Sequence, residues 1–121
     1  MATRKVSHHR RIISKTSQSI SLVSPGSVVE FKYLGEDIYD LRPMIFVLTR
    51  YSKILNGINI NYLKEDIVQK LLLETNFEKL RHYSLYQKAF RTYSLSKIKM
   101  IKLVEYKTDA MIMDERNENK L

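Results

Sequence analysis

Residues 41–60 read LRPMIFVLTRYSKILNGINI, and their reading decides the fold. Met44, Ile45, Phe46, Val47 and Leu48 are apolar without interruption. Such a run is too short for a free-standing helix and too apolar for a strand with one wet face. It reads as a strand buried on both sides. Pro43 stands ahead of it, where proline can open a strand without breaking the ladder. Residues 49–53 are a polar connection, and residues 54–60, ILNGINI, form a second apolar run. Asn56-Gly57 marks a tight turn, or a place where only glycine lets the backbone pass. Together these runs are expected to form the central hairpin of a small barrel.

A chain of 121 residues has room for one domain and one real core. No apolar run approaches the roughly 20 residues that span a bilayer. Residues 1–15 lack the apolar middle of a secretory signal. With no cysteine, disulfides and thiolate metal sites are excluded. An intracellular location, or packaging in a particle assembled inside a cell, is the expectation.

Charge supplies the first functional clue. Twenty-one Lys and Arg against thirteen Asp and Glu give a formal net charge of +8. No acid precedes Glu30, whereas Arg4, Lys5, Arg10, Arg11 and Lys15 all do. Residues 79–102 hold Lys79, Arg81, Lys88, Arg91, Lys97, Lys99 and Lys102 with no acid among them. This distribution points to a polyanion such as nucleic acid, or to an acidic protein neighbour.

Outward from the hairpin, residues 1–24 read as a basic arm anchored by scattered apolar residues, of a kind that orders on a partner. His8-His9-Arg10-Arg11 suits phosphate contact better than metal, since adjacent histidines point apart and no third ligand is near. Ser24-Pro25-Gly26-Ser27 is a turn that opens the barrel domain, residues 25–113. Val29, Phe31 and Tyr33 alternate with Glu30 and Lys32 as a half-exposed strand. Residues 34–41 form an acidic loop. Its Glu36, Asp37 and Asp40 have the raw material for a cation or acid–base site, although such a cluster is more often a solvated loop. Leu63, Ile67, Val68, Leu71 and Leu72 make an amphipathic helix, with Glu65 and Asp66 in its first turn. Residues 82–91 are expected as a second helix. There Phe77, Tyr83, Tyr86, Phe90 and Tyr93 interleave with basic side chains, a composition that suits single-stranded nucleic acid. Their helical spacing favours a place in the core. Residues 94–97 read as a turn or single helical turn, and residues 100–106 as a closing strand with a bulge near Ile101. Residues 109–113 are expected to add one helical turn, and residues 114–121 a polar tail.

Three scattered glycines make no phosphate loop, and HExxH, GxSxG and CxxC are absent. His8, His9 and His82 are the only histidines. An enzyme would have to run on carboxylates, Arg or Tyr. No cofactor is implied.

Two resemblances stand out. Pro25-Gly26-Ser27-Val28-Val29, with Arg42-Pro43-Met44-Ile45-Phe46-Val47-Leu48, resembles the opening of MazF/PemK-type toxins, small SH3-like barrels. In that family the arginine before the proline takes part in RNA cleavage, and Arg42 holds its place. Ser27 stands where those toxins usually carry an acid. Gly57-Ile58-Asn59-Ile60-Asn61-Tyr62-Leu63 is similar to the core stretch of small proteins of large tailed bacteriophages. That resemblance implies a phage-encoded SH3-like protein, part of the virion or acting on phage DNA.

The expectation is therefore a mainly β, α+β protein: a small SH3-like barrel with one or two helices after the third strand. Its expected role is non-enzymatic, virion-structural or DNA-associated, in the host cytoplasm or the virion, within a larger assembly and with no membrane. Arg4, Lys5, Arg10, Arg11, Lys15, Lys88, Arg91, Lys97 and Lys99 would contact phosphates or an acidic subunit. The alternative is a MazF-like RNA-cleaving enzyme using Arg42.

Overall fold

A computed structural model describes residues 10–34 and 42–108. Their strands form one six-stranded antiparallel sheet. In chain order these are β1 (Arg10–Ser17), β2 (Val28–Tyr33), β3 (Met44–Arg50), β4 (Ile54–Asn59), β5 (Phe90–Ser94) and β6 (Ile98–Thr108). The spatial order is β1-β6-β2-β3-β4-β5, so β1 and β5 are its edges and the pairing does not close into a ring. Among the described residues no helix is long and apolar enough to cross a membrane.

The apolar run of β3 lies at the centre of the sheet. Met44 through Leu48 are all buried, and alternation sends them to two cores. Met44, Phe46 and Leu48 join Val28, Ile58, Val68, Leu71 and Leu80 on the side covered by helices. Ile45 and Val47 join Val29, Phe31, Leu55, Tyr93 and Ile98 on the other. Each such side chain contributes about 1.5–3 kcal/mol on burial. β3 and β4 are joined at residues 51–53, where the Tyr51 N–H donates to the Ile54 carbonyl at 2.9 Å. Gly57 lies inside β4 opposite Val47, not in a turn.

The insertion between β4 and β5 holds a 3-10 turn (Ile60–Tyr62), α1 (Glu65–Leu72), α2 (Phe77–Leu80) and α3 (Ser84–Gln87). α1 buries Val68 and Leu71, and Ile67 and Leu72 pack at its margin. Its end is tied to α2 by Glu74, whose carboxylate accepts the Asn76 and Thr75 N–H groups at 3.0 and 3.1 Å. The Asn76 bond foremost holds the Glu74 carboxyl below its usual range. Asn76 in turn accepts the Lys79 N–H at the start of α2.

Two expectations are corrected. Residues 82–91 are not one helix. α3 covers four residues, after which the Ala89 carbonyl accepts the Asn59 N–H at 2.8 Å and the chain leaves as β5. The unpaired edge of β4 takes this segment into the sheet. The arm expected over residues 1–24 is sheet from Arg10 to Ser17, and residues 1–9 lie outside the described residues. β6 lies between β2 and β1, and β1 pairs with its other edge from Lys102 to Thr108. The bulge in the closing strand is present. Glu30 opposes Lys102 and Lys32 opposes Lys99, so β6 carries an extra residue there, and Met100 adopts φ 56°. The expected acidic loop beyond Leu34 (Glu36, Asp37 and Asp40), His8, His9, the 109–113 turn and the 114–121 tail lie outside the described residues.

Candidate polyanion interface

Among the described residues, the cations expected to contact phosphate fall on several different elements. Arg4 and Lys5 lie outside the described residues. Arg10 and Arg11 sit on β1, opposite Thr108 and Lys107 of β6. Lys15 is already engaged: its ammonium donates to both Glu30 carboxylate oxygens at 3.0 and 3.1 Å. Glu30 is 7% exposed, on a strand where neighbouring Val29 and Phe31 are buried. A carboxylate so withdrawn from water requires a counter-charge, and Lys15 reaches it across β6. Lys15→Ala is therefore expected to cost about 2 kcal/mol in a urea melt, through stranding Glu30. Glu30→Gln should cost less, since its partner can return to water.

Lys88 is exposed after α3. Arg91 is spent on local structure: its Nη1 donates to the Lys88 and Phe90 carbonyls at 2.8 and 2.7 Å. Its guanidinium also lies 4.9 Å from the centre of the Tyr62 ring. Of the interleaved aromatics, Tyr86 and Tyr93 are buried, Phe77 and Phe90 partly so, and Tyr83 is 39% exposed. Most of these rings are at least partly buried, but on α2, α3 and β5 rather than along the one helix that their spacing suggested.

Lys97 and Lys99 have different company. Lys97 ends the exposed 3-10 turn between β5 and β6, and Lys99 opens β6. Directly across from Lys99 is Lys32 of β2, and both are exposed. β2 and β3 pair Glu30 with Met44, and the Phe31 N–H donates to the Pro43 carbonyl at 3.3 Å. Exposed Arg42 lies in the bend just ahead of Pro43 and β3. β2 and β6 thus present Lys32 and Lys99 side by side at one end of the sheet, with Lys97 two residues before Lys99 and half-buried Lys102 one bulge away.

Like charges directly opposite on a sheet repel at Cβ separations of about 5 Å. Two lysines directly opposed form an arrangement that stability alone does not favour. What it does favour is an extended anion lying across the strands. The sequence places Lys32 on an outer face, but its pairing with a lysine 67 positions later is not visible there. Arg42 lines none of the described clefts, and among the described residues no group of His, Asp and Glu is placed to hold a metal.

No family model, curated protein or solved structure matches the chain.

Proposed function

We propose that the chain is a non-enzymatic, polyanion-binding protein of a tailed bacteriophage, virion-structural or DNA-associated, that lays nucleic-acid phosphates along the row formed by Lys99 and Lys32. The opposed Lys99–Lys32 pair, with exposed Arg42 just ahead of β3, is the observation that carries this reading, because it sets side by side cations that a stable sheet would keep apart. The net charge of +8 supports long-range attraction to the same partner. The similarity of residues 57–63 to phage proteins supports the source and, with it, a place in the host cytoplasm or virion.

The sheet is read as a partly open SH3-like barrel. Three features favour it: β5 runs through one 3-10 turn into β6, the Ser94 N–H donates to the Tyr33 hydroxyl at 3.1 Å, and the Phe31 and Tyr93 rings meet edge to face at 5.1 Å. All three draw β5 toward β2 across the second core.

Phosphate contacts of this kind bind without reading sequence. Titration of a random duplex DNA at rising salt is expected to show affinity falling steeply, through release of counterions from the phosphates. A flat salt response would contradict the proposal. An acidic protein subunit that competes fully with DNA would place the same row in a protein contact instead. The toxin-like reading rests on Arg42, which is exposed as cleavage chemistry would require. Incubation with single-stranded RNA is expected to leave the strand intact. Cleavage abolished by Arg42→Ala would replace the proposal with the enzymatic one.

A further inference from the structure

A second feature lies away from the basic row, where the helix-covered face of the sheet runs out from under α2. Two adjoining hollows of about 450 and 240 Å³ share Leu48 and Arg81 in their walls. Together they make one groove across β3, β4 and β5. A hollow of several hundred Å³ with mixed apolar and polar walls is of the size that takes a small ligand or one unit of a polymer.

The floor is a polar ladder formed by one residue from each strand. Asn56 opposes both Thr49 and Thr92. The Thr92 hydroxyl donates to Asn56 Oδ1 at 2.6 Å, and Asn56 Nδ2 donates to Thr49 Oγ1 at 3.2 Å. Arg81, following α2, donates from Nη2 to the same Thr49 oxygen at 3.4 Å. A threonine hydroxyl has two acceptor sites and one donor. Both acceptor sites of Thr49 are taken, which leaves its O–H as a donor with no acceptor among the described residues. Arg81 uses one of its five N–H groups on Thr49, and the described residues supply no partner for the others. Gly57, beside Asn56, adds no side chain to the wall. Partly buried Phe77 and Phe90 bound the groove on its apolar side.

A hydroxyl donor beside a guanidinium fork asks for an acceptor with negative charge and more than one oxygen, which is the description of a phosphate. Ring walls next to it suit a base that has left its stack. We infer that this groove binds single-stranded nucleic acid, with a phosphate on Arg81 and Thr49 and the neighbouring base against Phe77 or Phe90. The inference rests on the nucleic-acid reading above and adds a strand preference that the Lys99–Lys32 row cannot supply. A duplex keeps its bases stacked and offers the groove only its phosphates.

The test is fluorescence anisotropy with a labelled 12-nucleotide single strand and the matching duplex. The proteins are wild type, Arg81→Gln, Thr49→Val and Lys32→Ala/Lys99→Ala. Arg81 is exposed, so its substitution leaves the core intact. Arg81→Gln is expected to weaken single-strand binding about tenfold and duplex binding less than twofold. Thr49→Val should move in the same direction by a smaller factor. Equal weakening on both forms would overturn the groove, reducing Arg81 to one more surface cation. So would unchanged single-strand binding in Arg81→Gln while the two-lysine variant loses affinity, an outcome that leaves the basic row standing. Binding of neither form by wild type would overturn both.

Discussion

Gly57→Ala is expected to destabilise the protein by about 3 kcal/mol, a large fraction of the 5–15 kcal/mol typical of a domain. A Cβ at this position would collide with Ile45 Cγ2 and stand 2.5 Å from the Phe46 carbonyl oxygen. Neither neighbour can yield cheaply. Ile45 is fully buried in the second core, and the Phe46 oxygen belongs to the backbone of the central strand. Relief would need β3 and β4 to part where Gly57 opposes Val47. Gly26→Ala is the useful comparison. Its Cβ meets Phe77 Cζ at 2.7 Å at φ +87°, but the obstacle is the end of a partly buried ring that can swing. That change should cost about 1–2 kcal/mol. Urea melts of the two variants check the order, and a Gly57→Ala cost below about 1 kcal/mol would contradict the close packing of β3 on β4.

The second large effect is on binding, and its sign differs from its effect on stability. Lys99→Glu is expected to weaken duplex DNA binding about tenfold in low salt, by removing one phosphate contact and adding a repulsive charge. The same change turns the like-charged Lys99–Lys32 rung into an attractive one. It should therefore raise stability by about 0.2–1 kcal/mol. Lys53→Glu, at the exposed hairpin connection and in none of the strand pairs that form the row, serves as the control for a general change of charge. A surface optimised only for folding would not show this opposition between binding and stability. If Lys99→Glu and Lys53→Glu weaken binding equally, the row has no special place.

How much of this is legible in the chain alone depends on the range of the interactions involved. Residues 44–48 announce a doubly buried strand because every residue in the run is apolar. The stripe of Leu63, Ile67, Val68 and Leu71 announces α1 because a helix repeats within one turn. The bulge in β6 is visible as a broken alternation around Ile101, and the structure assigns it to Met100 at φ 56°. β1 is hidden for a related reason. A register shift between Ile12 and Ser14 breaks its alternation, and its partner lies some ninety residues away. The segment from Tyr83 to Phe90 has helical spacing, yet Asn59 on the β4 edge takes Ala89 as a backbone partner and draws the following residues into β5. Both features of functional interest are non-local in the same way. Lys32 meets Lys99 across a strand pair, and Thr49, Asn56, Thr92 and Arg81 meet only when three strands and a helix assemble. Local pattern reports which side chains face outward, but not which of them become neighbours.

The most direct measurement of the central claim is the slope of log binding constant against log salt for duplex DNA. It should be taken on wild type and on Lys32→Ala/Lys99→Ala under identical conditions. If the row lays phosphates across β2 and β6, removing its two opposed lysines lowers the slope by about 2, one unit for each phosphate no longer neutralised. An unchanged slope in a folded double variant would contradict the account, because the phosphates would then be held elsewhere on the molecule.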